Sequence, residues 1–214
     1  MNTPHDFILF DLDGTLSDPL LGIGRSINFA LAHFGYPERE LDDLKPCIGP
    51  PLDQSFAALT GTTSPAHLTE LVVKYRERYA EIGYAENVIY AGIADALAQL
   101  HGHGLKLAVC TSKRADFAER ILEMFDIHPY FEFVSGGEIG THKWQQMAGL
   151  LAQNRVSKAS LMVGDRYFDM QAASRNGLAA AGVLWGFGSA EELAAEQPRY
   201  LLHEPGELFP VLAG

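Results

Sequence analysis

The sequence predicts an α/β protein: a parallel sheet flanked by helices, with an all-helical segment inserted after the first strand. Three observations predict it. Short, nearly continuous apolar runs recur along the chain, amphipathic stretches alternate with them beyond residue 90, and residues 16–89 show helical patterns without a convincing strand. Runs that are apolar on both faces fit strands covered from both sides. Strand–helix alternation fits parallel pairing through right-handed crossovers.

The first strand is Phe7 to Phe10. The insertion follows, with helices expected over Gly22 to Phe34, Pro51 to Leu59 and Ala66 to Ala80. The first carries the stripe Ile23, Ile27, Ala30, Leu31 and Phe34, and stiff turns occur at Gly35-Tyr36-Pro37 and Gly49-Pro50-Pro51. Ile93 to His101 then reads as a helix, since Ile93, Leu97 and Leu100 share one face. Leu105 to Cys110 is a strand. Asp116 to Phe125 is a helix burying Phe117, Ile121, Leu122 and Phe125. The alternation continues through strand Phe131 to Val134, helix Trp144 to Leu151, strand Ser160 to Val163, helix Met170 to Ser174 and strand Ala179 to Leu184. The expected division is a core of residues 1–15 and 90–214 with a helical domain of residues 16–89.

The 214 residues are 47% hydrophobic, enough for a core that needs no disulfide or metal staple. A net charge of −11 leaves no basic footprint for a nucleic-acid polymer. The two cysteines, Cys47 and Cys110, form no CxxC pair and no zinc spacing, so structural thiols in a reducing, cytoplasmic setting are expected. The start MNTPHDFILFDLDG lacks the basic region and long apolar run of a signal peptide, and no stretch reaches the ~20 apolar residues of a membrane span.

The chemistry is concentrated at strand ends. Asp11-Leu12-Asp13-Gly14-Thr15 directly follows the first strand. Two carboxylates so close repel each other unless a divalent cation lies between them. An aspartate can also attack phosphorus, and a second one can protonate the leaving oxygen and then activate water. Alone, the motif is equally a polar turn. Thr111-Ser112-Lys113 ends the second apolar run and offers a hydroxyl and backbone amides to phosphate, or an N-cap to the next helix. Lys143 opens a helix and could neutralise a transferring phosphoryl group, although a lone lysine is ordinarily a surface residue. Val163-Gly164-Asp165-Arg166-Tyr167-Phe168-Asp169 places one carboxylate at a strand end and another on the next helix's first turn. Asp165 suits a Mg²⁺ ligand, and Asp169 suits support of Lys143 or of a metal-bound water. The four stretches in this order supply the positioning and charge neutralisation that phosphoryl transfer needs.

This set resembles the four ordered motifs of the haloacid dehalogenase superfamily of phosphatases, over essentially the whole chain. The helical insertion resembles that superfamily's type 1 cap. Ile48-Gly49-Pro50-Pro51-Leu52 with Ser55-Phe56, and Gly182-Val183-Leu184-Trp185-Gly186-Phe187-Gly188, resemble its phosphoglycolate phosphatase and 5′-nucleotidase-like branch. The resemblance implies a Rossmann-like core and Mg²⁺-dependent hydrolysis of a small phosphate monoester. It makes Asp11 the nucleophile and Asp13 the acid/base, with the Asp13 backbone carbonyl offered to Mg²⁺. Thr111 and Lys143 hold the phosphoryl group, and Asp165 binds Mg²⁺ with Asp169 in support. Gly14, Thr15, Ser112, Arg166 and the cap residues Gly49 and Pro50 are implied to contact substrate. Trp144 after Lys143, and Ala91 before Gly92, replace prolines common in relatives, which leaves phosphoglycolate and a nucleoside 5′-monophosphate both open. A phosphosugar mutase and a non-catalytic phospho-acceptor are the competing classes. The expected partner is a small phosphorylated metabolite, handled by a monomer or weak homodimer. Arg25 and Lys45 are surface residues that could meet an anion. His101 and His103 read as surface side chains.

Overall fold

A computed structural model of the chain describes residues 5–137 and 141–213. The outer limits expected for the core, residues 1 and 214, lie outside the described residues. The chain forms two compact units, Met1–Ser17 with Ile89–Gly214, and Asp18–Val88.

β1 (Phe7–Phe10) lies in the first unit, and the paired two-residue strands β2 (Ser17–Asp18) and β3 (Val88–Ile89) each fall at the division between the units. The helical unit holds α1 (Leu20–His33), α2 (Leu52–Thr60) and α3 (Pro65–Glu81). Pro65 opens α3, and the Ser64 side chain accepts from the His67 amide at 3.4 Å, so proline and cap fix its start. Ile27, Leu31, Phe56, Leu71, Tyr75 and Tyr79 form this unit's buried core. Arg25 pairs with Glu86 at 2.6 Å and Lys45 with Asp42 at 2.7 Å, so both cations have partners within this unit.

The rest of the first unit alternates. α4 (Ile93–Gly102), β4 (Lys106–Cys110), α5 (Ala115–Met124), β5 (Phe131–Ser135), α6 (Lys143–Ala152), β6 (Leu161–Gly164), α7 (Tyr167–Arg175), β7 (Ala179–Val183), α8 (Ala190–Ala195), β8 (Tyr200–Leu202) and α9 (Leu208–Leu212) follow. The six-stranded sheet has the order β5-β4-β1-β6-β7-β8, with every neighbouring pair parallel. From β1 the chain builds toward β5 and then, through β6, toward the opposite edge. The order therefore reverses at β1, where an open parallel sheet forms a crevice beyond its carboxyl ends.

Register explains which way the reactive residues face. Leu9 lies beside Ala108 and Met162, and all three join Met147, Leu150, Met170 and Leu193 in one core layer under α6, α7 and α8. Side chains alternate along a strand, so Asp11 shares the Leu9 side and is directed toward α6 and α7. Ile8 and Phe10 take the other face, with the Phe10 ring 6.3 Å from Phe131.

Three features escape the sequence pattern. β8 is a three-residue edge strand just beyond Pro198 and Arg199, too short to show alternation. β2 and β3 have two residues each, whereas residues 16–89 read as purely helical. α8 and α9 are likewise too short to display a helical period.

Candidate active site

Asp11 continues the β1 ladder, its amide donating to Val163 O at 2.9 Å. The chain then folds into a tight turn in which Leu12 O accepts from the amides of Thr15, Leu16 and Ser17. Gly14 has φ +82°, and a Cβ there would lie 2.1 Å from Asp165 Oδ2. Only glycine fits both the left-handed backbone and the close approach. The turn thereby brings the Asp13 region against the end of β6.

The Asp11 side chain is 8% exposed. Its Oδ1 accepts from the Leu12 amide at 2.8 Å, and its Oδ2 pairs with Lys143 Nζ at 2.8 Å. Lys143 also reaches Asp169 Oδ1 at 2.5 Å. Lys143 is therefore a buried ammonium between two carboxylates, not a surface side chain. Burial works against its charge, but Asp11 and Asp169 outweigh burial and hold its pKa above the usual lysine value. Asp169 Oδ2 accepts from the Arg166 amide at 3.1 Å, so this acid on the first turn of α7 serves both the helix start and Lys143. Burial raises Asp169 to about 6, against the pull of Lys143.

Asp165 is fully buried. Its Oδ1 accepts from Thr15 Oγ1 at 3.2 Å, and its Oδ2 from the Phe187 amide at 2.9 Å. Burial, followed by the Asp169 and Asp11 charges, pushes it well above the ordinary carboxylate value. Oxygens of Asp11, Asp165 and Asp169 lie within 4.8 Å of one another. These three buried carboxylates face one buried lysine, an excess of negative charge that a cation would offset. An all-oxygen donor set suits a hard divalent ion such as Mg²⁺.

Asp13 sits apart from this triad. Its Oδ2 pairs with Lys113 Nζ at 2.6 Å, and its buried Oδ1 has no hydrogen-bond partner among the described residues. Burial is the main cause of its raised pKa, opposed by Lys113. Thr111 is buried, and its Oγ1 accepts from the Lys113 amide at 3.3 Å. It is not the cap of α5, whose N-cap is Arg114. Ser112 is exposed beside it. Arg166 Nε donates to Glu192 Oε1 at 2.9 Å, and the same oxygen takes the Tyr167 amide at 3.0 Å. Gly49 and Pro50 belong to the helical unit. The Cys110 thiol is pushed up to about 12, chiefly by burial, which fits a structural thiol.

The structure thus gathers Asp11, Lys143, Asp165 and Asp169 into one cluster, with Thr15 and Gly14 against Asp165. Four supporting residues received no role from the sequence, although Lys113 and Trp185 lie within motifs quoted from it. Lys113 pairs with Asp13. Gln146 Nε2 donates to Ser135 O at 2.7 Å and Thr111 O at 3.3 Å, tying the ends of β4 and β5 together. Trp185 Nε1 donates to Thr15 O at 2.9 Å. Glu192 holds Arg166. Gln146 lies three residues after Lys143, nearly one turn along the same helix, a spacing that could have flagged it.

Comparison with known proteins agrees with this architecture. The chain is 43% identical over 209 residues to a 5′-nucleotidase of Pseudomonas aeruginosa, covering 96% of this chain and 94% of that protein. It is 39% identical over 189 residues to the tyrosine-protein kinase PtkA of Mycobacterium tuberculosis, covering 86% of this chain but 64% of that protein. The crystal structure of a predicted phosphatase from Clostridium acetobutylicum superposes with a TM-score of 0.90 at 33% identity, covering 96% of this chain and 97% of that one. The sequence pattern of the haloacid dehalogenase-like hydrolases matches residues 8–183, and with these relatives it establishes that the chain belongs to that family, among its phosphatases.

Proposed function

We propose that the chain hydrolyses a small phosphate monoester with Asp11 as nucleophile and Mg²⁺ as cofactor. A nucleoside 5′-monophosphate is the first candidate and phosphoglycolate the second. The observation that carries the reading is the setting of Asp11, a buried carboxylate beyond the carboxyl end of β1, oriented by Lys143 at 2.8 Å. A nucleophile must be aimed at phosphorus, and this contact fixes the Asp11 side chain before substrate arrives.

In this reading an Asp11 oxygen forms a bond to phosphorus as the ester P–O bond breaks. Asp13 gives a proton to the departing oxygen. Asp13 then takes a proton from water, which attacks the aspartyl-phosphate, releases phosphate and restores Asp11. Thr111 and Lys143 hold phosphoryl oxygens, with Gly14, Thr15, Ser112 and Arg166 around them. Asp11, Asp165 and the Asp13 backbone carbonyl would hold Mg²⁺, with Asp169 in support. The ion, when bound, neutralises charge on the transferring group. Substrate choice is assigned to the helical unit, with Gly49 and Pro50 as candidates.

The similarity to a protein named 5′-nucleotidase favours the nucleotide. The small-molecule reading fits the acidic net charge of −11. Two buried free cysteines support a cytoplasmic setting, and no helix of the described residues is long and apolar enough to cross a membrane.

The test is free-phosphate release with Mg²⁺ from nucleoside 5′-monophosphates, glucose 6-phosphate and phosphoglycolate, for wild type and Asp11→Asn. Release by wild type with none by the variant is expected. Wild-type rates in Asp11→Asn would refute the mechanism. Isomerisation of the sugar phosphate without release would favour a mutase, and a stable phosphoryl adduct from acetyl phosphate would favour an acceptor module.

A further inference from the structure

We infer that Lys113 is a positioning residue that fixes the Asp13 carboxylate with one oxygen held and the other available for proton exchange. This rests on the proposed acid/base role of Asp13. Lys113 is not among the charged groups that phosphoryl transfer by Asp11, Lys143, Asp165 and Asp169 requires, yet the structure buries it beside the second aspartate. The Lys113 and Asp13 side chains are 7% and 14% exposed, with Nζ 2.6 Å from Oδ2. At that burial and distance the contact is a charge-assisted hydrogen bond, not a solvated surface pair.

The two oxygens of Asp13 are consequently different. Oδ2 is occupied by the ammonium, while Oδ1 is buried and has no hydrogen-bond partner among the described residues. A buried carboxylate oxygen left without a donor is costly and calls for a functional reason. Proton exchange with a leaving oxygen and then with water needs one such open oxygen, aimed by a fixed carboxylate. Lys113 itself stands on a braced loop. Its amide donates to Thr111 Oγ1 at 3.3 Å, its carbonyl accepts from the Gly137 amide at 2.8 Å, and the Thr111 amide is tied to Ser135 O at 3.0 Å. The ammonium thus transmits the rigidity of the β4 and β5 ends to Asp13, which lies on the turn after β1.

A residue acting through another shows a particular signature in a double-mutant cycle. Phosphate release from p-nitrophenyl phosphate with Mg²⁺ is to be compared in wild type, K113Q, K113R, D13N and K113Q/D13N. Asp13→Asn is expected to lower kcat by about 10²–10⁴-fold. K113Q is expected to lower kcat by about tenfold or more with KM changed less than about twofold, and K113R to recover most of that loss. In the D13N background, K113Q should change kcat by less than about twofold. The cycle survives poor folding of K113Q, because the double variant leaves no unpaired charge and can be compared with D13N alone. The inference fails if K113Q multiplies the D13N defect, or if it raises KM at unchanged kcat, which would mark direct contact with phosphate. A wild-type rate in D13N would instead remove the underlying reading of Asp13.

Discussion

Lys143 Nζ stands 2.8 Å from Asp11 Oδ2, although one residue opens α6 and the other follows β1. With Asp169 Oδ1 at 2.5 Å on its other side, Lys143 is the only lysine within hydrogen-bond reach of this acidic cluster among the described residues. Its side chain is 4% exposed.

That burial makes Lys143 a stability element as well as a site residue. Removing one partner of a buried ion pair leaves uncompensated charge and costs about 3–5 kcal/mol. Lys143→Met should lower the urea unfolding free energy by that order in EDTA. Lys143→Met with Asp169→Asn should recover part of it, since one stranded carboxylate is then gone. A loss below about 1 kcal/mol, as for an exposed pair, would show that the cluster is solvated.

The excess of carboxylates predicts a response to metal. Binding to the folded state alone stabilises by about 2.7 kcal/mol at a hundredfold excess over Kd. Mg²⁺ should therefore raise the melting temperature of wild type, and EDTA should reverse it. Asp165→Asn should abolish the rise. Asp13→Asn should keep it, because the Asp13 carboxylate faces Lys113 rather than the triad. Equal responses in wild type and Asp165→Asn would rule out the triad as the metal site.

The sheet and the four strand-end motifs were legible because they rest on local signals. β1, β4, β5, β6 and β7 are apolar runs of four or five residues, long enough to read, and Asp11, Thr111 and Asp165 directly follow or end such runs. Strand alternation even fixes the side to which Asp11 points. What remained illegible depends on tertiary neighbours. Nothing local distinguishes buried Lys143 from a surface lysine, and nothing marks Lys113 as the partner of Asp13, since each contact joins distant segments. Glu192 and Trp185 are likewise recruited across the fold, and β8 exists only because β7 offers it an edge.

Gly164 ends β6 at a point where a methyl group has no room. A Cβ there would lie 2.2 Å from Asp169 Cγ, and Asp169 is pinned by Lys143 and the Arg166 amide. Gly164→Ala should cost about 1–3 kcal/mol through overpacking and should reduce phosphate release by displacing Asp169. Gly149, within α6, meets nothing within 4 Å, so Gly149→Ala should stabilise by about 0.5–1 kcal/mol through helix propensity. Thermal melts of the two variants check the contrast. Equal effects at both positions would mean that the contact with Asp169 does not constrain the backbone.

Glu86 sets an acid limit on the helical unit. Its carboxylate takes Arg78 Nη1 at 2.7 Å, Arg78 Nη2 at 3.1 Å and Arg25 Nη1 at 2.6 Å, and its side chain is 19% exposed. The Arg78 hydrogen bonds are the main cause of its lowered pKa, with Arg25 adding to them. Arg25 is more than half exposed, so most of the stabilisation comes from Arg78. A carboxyl lowered by folding stabilises the native state above its unfolded value of about 4.3 and loses that contribution as pH falls through the folded value. Glu86→Gln should therefore cost about 1.5–3 kcal/mol near neutral pH, the range for hydrogen bonds to charged groups. The gap between wild type and variant should close as pH drops below about 4. Urea unfolding from neutral pH down to acid, followed for both proteins, measures that gap, and a difference that stays constant across the range would mean that the Glu86 charge is not its source.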